Sequence, residues 1–229
     1  MDERRLGYSG VFWSLLNDEQ REAVSAAATV RRFPPNTVLV REGDHSRSVY
    51  VLTSGQVKVM SAGPGGHDAV LALLSPGHII GEMAAIDSMP RSATARSVDE
   101  VTALWLSEQA FAGLLRDQPG IVAVVLKIMT ARLRYANLRR TEYGDSPAPA
   151  RLAALLVELA DRYGTATPDG TLIRLQLSQH DLAGLVAASP VAVTRALKAL
   201  RDQHVISTGR QRVVIHQLDV LRTLAAPPS

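Results

Sequence analysis

The chain has 229 residues, 46% of them apolar, with 25 Lys+Arg against 22 Asp+Glu and no cysteine. That length admits one or two domains with packed cores, and the missing cysteines exclude disulfides, thiolate metal sites and iron–sulfur clusters. No run of about 18 apolar residues occurs and Arg4 and Arg5 precede no apolar segment, so neither a membrane span nor a signal peptide is expected and the cytoplasm is the expected compartment.

In chain order, residues 12 to 30 read as helical, with Asn17 or Asp18 as the cap. From Phe33 to Leu106 the pattern turns to short β-like runs: Val38 to Val40, Val49 to Leu52, Val57 to Met60 and Ala69 to Leu74. Turns punctuate them at Gly43, Gly55 and Gly77, and Gly63 to Gly66 reads as a hairpin tip; such a series implies a β-sandwich or roll.

Residues 81 to 94 carry the parts needed to grip a cyclic nucleotide. Gly81 permits a tight turn and close backbone approach. Glu82 offers a carboxylate to a ribose 2′-hydroxyl, and Met83, Ala84, Ala85 and Ile86 form a short helix whose first N–H groups would face the phosphate. Nine residues after Glu82, Arg91 supplies a planar fork of donors for that phosphate, with Ser92 and the Ser92 and Ala93 N–H groups completing the cradle. Gly81-Glu82 followed by Pro90-Arg91-Ser92-Ala93-Thr94 resembles the phosphate-binding cassette of the cyclic-AMP receptor protein family, the Crp/Fnr superfamily of transcription regulators, and the turn glycines resemble those of the family's β-roll.

The helical period returns from Pro119 to Tyr143, where Ile121, Val122, Val125, Ile128, Met129, Leu133, Ala136 and Leu138 make a broad apolar face. At the standard rise 25 residues span about 37 Å, too long for one small domain to cover, which favours pairing with a second copy. The resemblance makes this the family's dimerisation helix and puts its two base-contacting positions at Ala136 and Asn137. The family's Thr at the first is Ala here, which removes a hydrogen bond to the adenine edge, whereas the Asn137 amide both donates and accepts.

Asp145-Ser146-Pro147 marks a hinge, read as a polar cap with proline at the first helical turn; the family usually has Asp at position 147. Leu152, Leu155, Leu156 and Leu159 follow as a buried stripe, and Asp169-Gly170 as a hairpin signal. Ser178 to Asp181 is a near capping box opening a helix with Leu182, Leu185 and Val186 inward. After Ala187-Ala188, Ser189 caps a second helix with Pro190 at its first position and Val193, Ala196, Leu197 and Leu200 inward. Val205-Ile206, a Thr208-Gly209 turn and Val213 to Ile215 complete a winged helix-turn-helix.

Pro190, Val191, Thr194, Arg195 and Lys198 are left outward. Arg195 is the candidate for bidentate contact to a guanine, and Gln179, Ser189, Lys198, Arg210 and Arg212 are candidates for phosphate contact. Many family members carry Arg and Glu where Pro190 and Val191 stand, so the expectation is an operator that differs from the usual family palindrome, or weaker intrinsic specificity.

Charge divides in the same sense. Residues 1–118 carry 11 basic and 14 acidic groups (−3), 119–143 carry 5 and 1 (+4), and 144–229 carry 9 and 7 (+2). The positive half is where a polyanion would bind.

The expectation is an α+β chain: a cyclic-nucleotide-binding β-roll over 1–118, a dimerisation helix over 119–143 and a winged helix-turn-helix over 144–229. It would act as a homodimer on double-stranded DNA under control of a cyclic nucleotide, cyclic AMP first, with RNA polymerase as a possible partner and no membrane. No catalytic set is present, and His45, His67, His78, His180, His204 and His216 lie at no metal-ligand spacing, so neither metal nor haem is expected; His78 reads as a turn histidine. Two other readings stay open: a regulator of the same fold that ignores cyclic AMP or answers to cyclic GMP, cyclic di-GMP or a protein, and a nucleotide-binding adaptor acting on a protein partner.

Overall fold

The structure, a computed structural model, describes residues 11–62, 68–174, 177–209 and 211–226, with the backbone alone at Asp68 and over 138–145. The expected hairpin tip at Gly63 to Gly66, the Arg210 side chain and the Leu138 side chain therefore lie outside the described residues. Two compact units divide the chain, residues 1–138 and 139–229.

The first unit opens with two helices where one was expected. α1 (Phe12–Leu15) stops at Leu16 and α2 (Asp18–Ala27) restarts behind Asn17, whose side chain accepts from Gln20 N while the Gln20 side chain accepts from Asn17 N. That reciprocal capping box consumes two donors a continuous helix would leave orphaned, so the break is written in Asn17 and Gln20. Thr29 and Val30, expected as helix, begin β1 (Thr29–Phe33).

Seven strands follow: β2 (Val38–Val40), β3 (Val49–Ser54), β4 (Val57–Ala62), β5 (Asp68–Leu74), β6 (Ile79–Ile80), β7 (Thr94–Ser97) and β8 (Val101–Leu106). α3 (Glu82–Asp87) lies between β6 and β7. The strands form two antiparallel four-stranded sheets, ordered β1-β8-β3-β6 and β2-β7-β4-β5. Strand period 2 explains the layers. Along β3, Tyr50 and Leu52 pack with Leu39, Val57, Leu74 and Ala95 between the sheets, while Val49 and Val51 point the other way into a cluster with Phe12, Val24, Phe111 and Ile121 from the helices. Gly43, Gly55 and Gly77 all take positive φ, at 81°, 77° and 89°.

α4 (Glu108–Asp117), which sequence reading missed, is capped by Ser107 and runs into α5 (Pro119–Asp145). On α5, Ile121, Val124, Val125 and Ile128 are buried against the roll, whereas Val122, Leu126 and Leu133 are 36%, 61% and 62% exposed. One apolar stripe is covered and another is not.

The second unit begins with α6 (Ala148–Tyr163), and here the expected hinge chemistry is corrected. Pro147 is itself the N-cap, with no side-chain cap bond, and Pro149 is the proline of the first turn. Pro147 is extended, φ −68° and ψ 152°, so the helix starts one residue after it and Asp145 and Ser146 fall outside the helix start. β9 (Gly164–Thr167) and β10 (Gly170–Arg174) form the expected hairpin, and α7 (Gln179–Leu185) and α8 (Pro190–Asp202) follow. β11 (Ile206–Gly209) and β12 (Arg212–Ile215) complete a sheet ordered β11-β12-β10-β9, and α9 (Leu218–Leu224), also unforeseen, packs on α6. Thr208 and Gly209 pair with Val213 and Arg212, so they end a strand instead of forming the turn, and Gln211 beyond them takes φ 59°.

Candidate functional site

The cassette is assembled by three segments of the first unit. β6 delivers Ile79 and Ile80 to the sheet, and the chain then turns through Gly81 at φ 88° into α3. A Cβ at Gly81 would collide with the Arg91 guanidinium and with the Ser48 carbonyl oxygen, so glycine is required by both conformation and space. At the far end Ser88 takes a left-handed conformation, φ 60°, and Asp87 Oδ1 accepts from Met89 N at 2.9 Å, which reverses the chain toward Arg91.

Arg91 is only 3% exposed. Its guanidinium donates from Nε to Ser46 Oγ (3.2 Å), from Nη1 to Gly81 O (2.8 Å) and from Nη2 to Ser48 O (2.6 Å). Its backbone is tied to the loop before β3: Arg91 N donates to Asp44 O at 2.8 Å and Gly43 N donates to Arg91 O at 2.9 Å. Burial lowers the Arg91 pKa, and the electrostatic influence of Tyr50, Glu82 and Asp44 opposes that shift; a guanidinium remains charged throughout.

Glu82 is 1% exposed. A carboxylate so buried needs a cation, and Arg132 of α5 supplies it: Arg132 Nη1 donates to Glu82 Oε1, and its Nη2 donates to Ile79 O at 3.0 Å. Glu82 Oε2 is buried with no protein partner among the described residues. Sequence reading missed Arg132. Its signal is the spacing from Ile121, Val125 and Ile128, which puts a cation on the covered stripe of α5, where it requires an acid.

Of the other expected ligand residues, Ala84 is buried, Met83 is 44% exposed, Ser92 is exposed and Ala93 half-buried beside it. Ala136 and Asn137 are exposed one turn beyond Arg132 on α5. His78 is buried in its turn, with Nδ1 2.8 Å from Ser75 O. Among the described residues no cluster of three or more potential metal ligands occurs.

In the second unit α7 and α8 meet at 103°, within the range of a helix-turn-helix. Ser178 accepts from Asp181 N and donates to Asp181 Oδ2, while Ser189 caps α8 by accepting from Ala192 N at 3.2 Å. Val193, Ala196, Leu197 and Leu200 are buried; Pro190, Val191, Thr194, Arg195 and Lys198 are exposed. Thr194 Oγ1 lies 2.8 Å from Gln179 Oε1, bracing α8 on α7, and Lys198 Nζ lies 3.2 Å from Asp202. Arg212 is exposed at the start of β12. No single helix among the described residues is long and apolar enough to cross a membrane.

Residues 30–118 match the cyclic nucleotide-binding domain and residues 150–224 the Crp-like helix-turn-helix domain. The chain is 30% identical over 165 residues to the CRP-like cAMP-activated global transcriptional regulator of Mycobacterium tuberculosis, covering 72% of this chain and 74% of that one. It is 31% identical over 195 residues to the Cyclic AMP receptor protein of Thermus thermophilus, covering 85% and 87%. Its fold is that of the c-di-GMP responsive global regulator CLP of Xanthomonas campestris, with a TM-score of 0.78 at 24% identity over 87% of this chain and 99% of that one. A nucleotide cassette on a β-roll, a helix-turn-helix later in the chain and relatives of this similarity lead to one conclusion: the chain belongs to the Crp family of transcription regulators, with a cyclic nucleotide-binding domain and a DNA-binding helix-turn-helix domain.

Proposed function

We propose that this protein is a cytoplasmic homodimer whose promoter binding is controlled by cyclic AMP held in the cassette. The observation that carries the reading is Glu82 Oε2, a buried acceptor without a partner among the described residues, in the same cassette as the buried guanidinium of Arg91. A 3′,5′-cyclic nucleotide has one free ribose hydroxyl to donate to the first and one phosphate charge for the second. Gly81, Met83 and Ala84 shape the floor, and Ser92 and Ala93 offer further donors.

Control follows from the ion pair. Glu82 is joined to α5 through Arg132, so a ribose bound to Glu82 bears on the same helix that presents Ala136 and Asn137 to the base. The uncovered stripe of Val122, Leu126 and Leu133 is the surface a second copy would bury. A ligand that contacts one packing of paired α5 helices better than another shifts the spacing of the two α8 helices, and DNA accepts both only at about 34–36 Å. Arg195 then reads a base while Gln179, Ser189, Lys198, Arg210 and Arg212 hold phosphates, with Pro190, Val191 and Thr194 against the groove.

Ala136 favours a second reading, a different effector or none, because it has no hydroxyl for the adenine edge; the structurally similar regulator CLP is described as responsive to c-di-GMP. Calorimetric titration of cyclic AMP, cyclic GMP and cyclic di-GMP into the wild type and Arg91→Ala separates the two. The first reading predicts cyclic AMP binding weakened at least about a hundredfold in the variant, a charge-assisted pair being worth roughly 3 kcal/mol. Binding of another nucleotide, or of none, supports the second.

A further inference from the structure

Ser46 stands on the loop between β2 and β3, outside the cassette. Its hydroxyl accepts from Arg91 Nε at 3.2 Å. A hydroxyl has one proton and two lone pairs, so accepting from the guanidinium turns the Ser46 proton away from Arg91. Among the described residues no protein group takes that proton. Its neighbour Ser48 is used differently: the carbonyl oxygen, at 2.6 Å, is the acceptor, while Ser48 Oγ at 3.5 Å is too far for a good bond.

The loop carrying Ser46 is exposed yet fixed at several points. Gly43 N and Asp44 O make paired backbone bonds with Arg91. Upstream, Glu42 accepts from Ser61 Oγ and Ala62 N, both at 2.9 Å. Downstream, Arg47 pairs with Glu108 at 2.9 Å. A hydroxyl held this way loses little freedom on meeting a ligand. Asp44 on the same loop is acidic and would not itself attract an anion, so a neutral donor such as Ser46 is what makes this wall receptive to one.

We infer that Ser46 is a further phosphate ligand, its hydroxyl donating to the exocyclic phosphate oxygen nearest the loop while Arg91 holds the phosphate charge. The inference rests on the cyclic-nucleotide reading and assigns the loop before β3 as the second wall of the phosphate site. A cyclic phosphodiester has two exocyclic oxygens that the protein distinguishes only if different donors meet them. Ser46 on one side adds to the difference that Arg91, Ser92 and Ala93 make between them.

The test uses cyclic AMP and its two phosphorothioate diastereomers, in which sulfur, a weak acceptor, replaces one exocyclic oxygen or the other. Each is titrated calorimetrically into the full-length wild type, Ser46→Ala, Ser46→Thr and Arg91→Ala. Ser46→Ala is expected to bind cyclic AMP about tenfold more weakly with the ratio of diastereomer affinities moved toward one, and Ser46→Thr to keep both. Wild-type affinity or an unchanged diastereomer ratio in Ser46→Ala would overturn the assignment while leaving the effector reading intact. Failure of the wild type to bind any of the three would overturn both.

Discussion

At the cassette, Arg91 and Glu82 are 3% and 1% exposed and are held by groups from other segments: Ser46, Ser48 and Gly81 for the first, Arg132 for the second. On α8 the residues set to meet DNA stand in solvent, and what fixes them lies on the opposite face, in Val193, Ala196, Leu197 and Leu200, and at the Ser189 cap. The contrast separates two ways of building a binding surface. In the first, ligand groups also hold the fold together, so changing one alters stability and binding at once. In the second, Pro190, Val191, Arg195 and Lys198 face solvent apart from the α8 scaffold, while Ser189 and the Thr194–Gln179 pair serve both, so the former are free to vary while the helix persists. Pro190 and Val191, which depart from the family's usual Arg and Glu, lie on the second kind of surface.

The largest expected effect tests that coupling. Glu82→Gln keeps the shape of the side chain but leaves Arg132, whose side chain is 21% exposed, without its carboxylate. Breaking a buried pair from one side costs about 3–5 kcal/mol, and the partial exposure of Arg132 puts the expected loss near the lower figure. Urea unfolding measures it, and Glu82→Gln combined with Arg132→Met should recover most of the loss because no charge is then stranded. If Glu82→Gln unfolded at the wild-type midpoint, the cassette would not be coupled to stability and the comparison would fail on its first side.

Arg195→Ala should show the reverse profile. As an exposed residue away from the α8 core it should change unfolding by no more than about 0.5 kcal/mol. It should weaken DNA binding by about 1–3 kcal/mol per half-site and relax preference at one base position in each half-site. Selection from random DNA followed by titration of the selected site reads both. A uniform loss across all sequences would reassign Arg195 to a phosphate.

How much of this was legible in the sequence follows the same division. The helix-turn-helix could be read almost residue by residue because its signals are local: the Ser178 and Ser189 caps, Pro190 at the first position, and the period of the buried leucines. The cassette residues were also visible, but their partners were not. Ser46 and Ser48 lie more than 40 residues before Arg91, and Arg132 lies 50 after Glu82, and no local rule pairs residues at such distances. Where element boundaries differ from the expected ones, the causes are local. Asn17 and Gln20 break the first helix, Pro147 displaces the expected cap of α6, and Gly209 continues β11 where a turn was expected. α9 and α4 are short and each directly follows a strand, β12 and β8, so their period is hard to separate from the alternation before them.

The smallest expected effect concerns Lys198, which joins the two halves of the comparison because it is exposed and yet has a partner. Its ammonium lies 3.2 Å from Asp202 one turn away, with the two side chains 71% and 62% exposed. An i,i+4 pair in solvent is worth only about 0.3–0.5 kcal/mol, so a DNA phosphate should outcompete it. Lys198→Ala should therefore change stability by no more than about 0.5 kcal/mol and reduce the slope of log dimer affinity against log salt by about 1.8, the worth of one phosphate contact from each protomer. Asp202→Ala should do the opposite to affinity, raising it about twofold at low salt, since Lys198 no longer has to leave a partner and a negative charge beside the phosphates is gone. If Asp202→Ala weakened binding instead, Asp202 would be holding Lys198 in its binding position, and α8 would share the networked construction of the cassette.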